Sequence, residues 1–132
     1  HARAGQRREA EAVAEENYRQ NPEYLFARVN YAEVCLARGA HAQVAEIFAH
    51  TFDLRLLYPQ RKRFHLSEVT NFMGVVGLYF LATGNRELAE HYESFLQEIA
   101  PEFPITRRLH KQLFPGLLRR LWRGVTGKMI RS

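Results

Sequence analysis

A lone cysteine, two glutamate–histidine pairs and several runs of arginine are the side chains here whose type and spacing can do chemistry. Cys35 is the single cysteine, which excludes an internal disulfide and a cysteine-clustered zinc site. A thiol becomes a nucleophile where cationic neighbours or a helix N-terminus hold it as thiolate. Here Ala32 and Leu36 flank Cys35 at helical spacing, so it reads as a small packing residue. Glu46 and His50 are four residues apart, as are Glu87 and His91, and each pair can share a helix face. Two ligands do not complete a zinc site, so both pairs read as solvated. No strand precedes a glycine-rich loop that could cradle a phosphate. The residues therefore predict no catalytic constellation, no metal and no cofactor.

Basic residues are the remaining candidates. Arg61, Lys62 and Arg63 form one run, read as a solvated loop or helix face, with a docking patch for an acidic partner as the second reading. The net charge of +5 is unevenly distributed. Residues 1–60 and 61–100 each carry a net −1, whereas residues 101–132 hold 8 basic and 1 acidic side chains, a net +7. In that last segment Leu109, Leu113, Leu117 and Leu121 recur every four residues, flanked by Phe114, Leu118 and Trp122. Arg108, Lys111, Arg119, Arg120 and Arg123 supply a basic face. Such a helix can attach to an anionic membrane or to nucleic acid, or it can cap a helical array with its leucines inward and its arginines in water. The cap is the preferred reading, because Tyr92, Phe95 and Ile99 otherwise lack cover. Pro115-Gly116 should kink or split the helix.

These residues need elements to position them, and the periodicity predicts only helices. At 132 residues, with 46% hydrophobic and 25% charged content, the chain suits one packed unit and is too apolar for disorder. Apolar residues recur at three and four, as in Leu88, Tyr92, Phe95, Leu96 and Ile99, or Val44, Ile47, Phe48 and Phe52. Helices are expected near 5–20, 22–38, 41–53, 66–83, 86–100 and 105–123. Asn21-Pro22 offers a cap followed by proline at the first helical position, and Ser67 a second cap. Gly39 and Gly84 each follow an apolar run and suit a left-handed helix exit. The stretch Phe72–Ala82 is apolar nearly all round but too short for a bilayer, so it is expected as a buried central helix. Cysteine usage points to a reducing, cytoplasmic compartment. The first residue is His1 rather than methionine, so the chain is read as a piece of something longer, or part of a complex.

The glycines carry a period. Gly5 is followed by Ala10 after five residues and Pro22 after seventeen, and Gly84 by Ala89 and Pro101 at the same spacings. Gly39 lies 34 residues after Gly5 with Val44 at the alanine spacing, and Gly84 lies 45 after Gly39. The surplus 11 residues fall in the stretch LRLLYPQRKRFHL. Ala32 and Cys35 precede Gly39, and Gly77 and Phe80 precede Gly84, where a small residue and an aromatic let helices approach and fill the space between them. These residues, with the string GNRELAEHYESFLQEIAP, resemble the tetratricopeptide repeat family, whose unit is a 34-residue helix pair. The early tryptophan of the family is replaced by Arg28 and Met73.

The resemblance implies an all-α solenoid of antiparallel helix pairs in a single domain over 1–132. It comprises a leading half repeat at 5–21, full repeats at 22–58 and 66–101, a basic amphipathic capping helix at 105–123 and a tail at 124–132. In relatives the first helices of successive units line a concave surface that holds a peptide or protein segment. Carried over by register, the inward positions are Phe26, Asn30, Glu33, Asn71, Val75 and Leu78. Arg108 and Gln112 join them if the last helix stands as a further first helix. Neither full first helix contains a lysine, which sets the chain apart from relatives that clamp acidic chaperone tails. The expected role is a non-enzymatic scaffold for another protein or peptide. The alternative is a module that binds anionic membrane or nucleic acid through its C-terminal helix.

Overall fold

Apolar residues at helical spacing form seven helices in the computed structural model, which describes residues 2–116 and contains no strand among them. They are α1 (Ala2–Gln20), α2 (Leu25–Ala37), α3 (His41–Ile47), α4 (Leu54–Leu57), α5 (Leu66–Ala82), α6 (Arg86–Ile99) and α7 (Pro104–Leu113). Links of four residues between α1 and α2, and of three between α5 and α6, fold each packed pair back as an antiparallel hairpin. The central element is α5, which packs against α2, α3, α6 and α7. That explains why Phe72, Gly74, Val75, Val76, Gly77 and Leu78 are all buried on one helix. Among the described residues no helix is long and apolar enough to cross a membrane.

Glycine exits end two of the helices. Gly39 and Gly84 take φ of 75° and 91°, and the following N–H groups of Ala40 and Asn85 donate back to Cys35 and Phe80 at 2.8 and 2.7 Å. The third expected marker behaves differently. Gly5 lies inside α1, since one glycine costs only about 1 kcal/mol in a helix interior and does not break it. Ala10 is exposed, since α1 packs chiefly on α2 among the described residues and turns this position to water. Ala32 and Ala89 have no exposed surface and hold helix pairs close.

Other boundaries shift from expectation. Pro22 belongs to the turn before α2, which starts at Leu25 with Tyr24 at the cap. The helix expected over 41–53 stops at Ile47, because Ala49 and His50 adopt φ of 52° and 54° and the His50 N–H donates to Ala45 at 2.8 Å. The cap of α5 is His65 rather than Ser67, with the His65 N–H donating to the Glu68 carboxylate at 2.9 Å. The last described helix ends at Leu113, two residues before Pro115. Leu117, Leu118, Leu121, Trp122, Arg119, Arg120 and Arg123 lie outside the described residues, as does the tail at 124–132.

Aromatic rings pack around α5, which contributes Phe72, Tyr79 and Phe80. Phe48 meets Phe72 edge-on at 5.2 Å, Phe52 lies 5.2 Å from both Tyr79 and Phe80, and Phe80 stacks on Tyr92 at 5.8 Å. The stretch between α4 and α5 is pinned at Tyr58 and Arg61. The Tyr58 hydroxyl donates to the Glu23 carbonyl at 2.6 Å, and Arg61 grips Glu68 through two bonds of 2.7 and 2.9 Å. Arg61 also covers the Phe64 ring at 4.4 Å. The basic run is therefore divided: Arg61 is a structural clamp, and Lys62 and Arg63 are exposed.

Candidate functional site

The C-terminal halves of α2 and α5 and the outer face of α7 meet at a shallow recess. Glu33, Leu36 and Ala37 come from α2, Leu78 and Ala82 from α5, and Arg108 and Gln112 from α7. Together they enclose about 200 Å³. These helices approach because α5 presents glycines toward α7. A Cβ on Gly74 would collide with Ile105, and one on Gly77 would stand 2.7 Å from a Leu109 methyl. With α7 seated this closely, the Arg108 guanidinium lies 3.6 Å from the Glu33 carboxylate on α2. Both side chains remain open to water, at 50% and 32% exposure, so a ligand group can compete for either partner. Leu78 supplies an apolar floor and is nearly covered.

Four of the eight inward positions, Glu33, Leu78, Arg108 and Gln112, are thus brought into one recess. Asn30 is exposed one helical turn before Glu33. Phe26 lies further toward the start of α2, half-buried and edge-on to Tyr24 at 6.0 Å. Asn71 is partly committed, since its amide donates to the Ser67 carbonyl of its own helix at 2.8 Å. Val75 has no accessible surface and cannot line a groove, because α5 is packed on several sides at that level. Leu36, Ala37 and Ala82 were not among the expected residues. Ala37 and Ala82 continue the stripes of Glu33 and Leu78 by four residues, so the register itself contained their signal.

The candidate reactive groups are placed as follows. Cys35 is fully buried, donates to Gln43 Oε1 at 3.3 Å, and has its thiol pKa raised chiefly by burial. That environment suppresses the thiolate a nucleophile needs. Glu46 and His50 do not share a helix face, because α3 ends between them. Glu87 and His91 are exposed on α6. Among the described residues no three His, Cys, Asp or Glu side chains gather as a metal site. A carboxylate–imidazole contact does occur where the sequence carried no sign of it. Glu93 Oε1 of α6 lies 2.7 Å from His110 Nδ1 of α7, seventeen residues away. The ring also contacts Phe114 at 5.2 Å, which supplies no nucleophile. Compared with known proteins, the chain matches no family model, no curated protein and no solved structure.

Proposed function

We propose that this chain is a non-enzymatic interaction module, a short tetratricopeptide-like α-solenoid that holds a peptide or protein segment across α2, α5 and α7. The observation that carries this reading is the convergence of Glu33, Leu78, Arg108 and Gln112, from three separate helices, on one open recess. Such a recess offers an apolar floor and a dissociable ion pair, with Asn30 one turn away and the Gln112 amide beside it. Those are the groups that read the backbone and charged ends of an extended segment.

Display selection of random peptides against the full chain tests the reading. Peptides recovered on the wild-type protein should lose roughly thirtyfold in affinity for Asn30→Ala/Gln112→Ala, as two hydrogen bonds of about 1 kcal/mol each would give. Helicity should stay unchanged, because Asn30 and Gln112 are exposed. Equal binding by wild type and variant would remove the groove from consideration.

A further inference from the structure

A larger cleft opens beside the recess along α7, with Arg108 lining both. The helix turns Ile105, Thr106, Leu109 and Leu113 inward, which leaves Pro104, Arg107, Arg108 and Lys111 on its outer stripe. Gln97 and Pro101 form the facing wall at the end of α6, and Phe114 and Pro115 close the far end. The space is about 810 Å³, inside the range of cavities that hold a ligand of several residues. We propose that this cleft docks an acidic polypeptide segment from another chain, carrying one large apolar side chain.

Charge argues for the sign of the occupant. No carboxylate lines the cleft among the described residues. Two carboxylates touch its lining residues: Glu93, its side chain only 9% exposed, is held by His110 at 2.7 Å and Gln97 at 3.0 Å, and Glu33 lies 3.6 Å from Arg108 on the recess side. Arg107 and Lys111 are exposed and form no ion pair among the described residues. Residues 117–132 add five basic side chains and no acidic one, so the sequence that follows the cleft supplies no complementary charge. The lining argues for the apolar element, because three prolines and Phe114 form its hydrophobic surface. A single-stranded nucleic acid would need several stacking faces, and Phe114 is the one Phe, Tyr or Trp ring in the described lining. A bilayer is met by a protruding apolar face, and this surface is recessed.

The test is fluorescence anisotropy on the full chain with a labelled nine-residue peptide of glutamates around a central tryptophan. Salt-sensitive binding is expected, weakened roughly tenfold or more by Arg107→Glu/Lys111→Glu with helicity and Tm unchanged. Replacing the central tryptophan by alanine should weaken it by a similar factor. The cleft shares only Arg108 with the groove among the described lining residues, and Asn30→Ala/Gln112→Ala leaves Arg108 in place, so that variant should bind this probe like wild type. Equal binding of a lysine-for-glutamate peptide, insensitivity to the double charge reversal, or insensitivity to loss of the tryptophan would each overturn the proposal. So would absence of binding. Stronger, charge-reversal-sensitive binding to an oligothymidylate or to phosphatidylserine vesicles would assign the cleft to nucleic acid or membrane instead.

Discussion

Glu68 is buried to 6% exposure, and a lone carboxylate there would be costly. The Arg61 guanidinium beside it, together with the His65 N–H, outweighs burial and lowers its pKa from 4.5 to about 2. A folded pKa below the unfolded one means that this pair stabilises the fold fully above about 4.5. The contribution disappears as pH falls from there to about 2. Glu68→Gln should therefore cost roughly 2 kcal/mol at pH 7, a figure discounted because Arg61 stays partly in water. Urea midpoints measured from pH 7 to pH 2 should show wild type and variant converging, and a constant gap would show that the charge is not the cause. Ala49 illustrates the opposite case, a residue held against its preference. Its φ of 52° is unfavourable for an L side chain, so Ala49→Gly should stabilise by about 0.5–1 kcal/mol after allowing for the freer unfolded chain. A higher Tm is the expected reading.

The seam between α5 and α7 positions Arg108 and Gln112, and it depends on two missing side chains. Gly74→Ala would drive a methyl into Ile105, whose Cγ2 and Cβ lie 2.9 and 3.1 Å from the new carbon's position. Ile105 is 3% exposed and has no room to retreat, so a loss of about 1–3 kcal/mol is expected. Gly74→Ala/Ile105→Ala should be less destabilised than the sum of its single changes, and simple additivity in chemical denaturation would argue against a direct clash. Element boundaries show which physics leaves a trace in sequence. The exits at Gly39 and Gly84 were legible because positive φ selects glycine, and the central position of α5 because burial on all sides removes polar residues. The early end of α3 was not legible, since Ala49 and His50 take the left-handed conformation without the usual residue type. Nor was the place of Gly5, whose spacing to Gly39 suggested a turn but whose site is helix interior. The groove stripes followed from register, while Arg108–Glu33 and His110–Glu93 arise from helices meeting in space and have no sequence period.

Across the whole molecule, buried residues of α2, α3, α4, α5, α6 and α7 belong to one hydrophobic cluster. These helices should therefore unfold together, because removing one uncovers the faces of its neighbours. Only partly buried Tyr18 joins that cluster from α1, through its 5.3 Å stack on Tyr31, and Glu11 binds Arg38 at 2.9 Å. Residues 3–10 are all exposed, so nothing but local helix propensity protects their amides. An isolated helical segment of this length is marginal in water. Hydrogen exchange on the full chain should thus show a gradient within α1, fast in residues 3–10 and slower from Glu11 to Gln20. Protection near the global unfolding limit should be confined to α5 and its neighbours. Tyr18→Ala should carry the fast regime through the rest of α1 while leaving α5 protection unchanged. Loss of protection in α5 as well would mean that α1 is part of the same cooperative unit rather than a flank attached through α2.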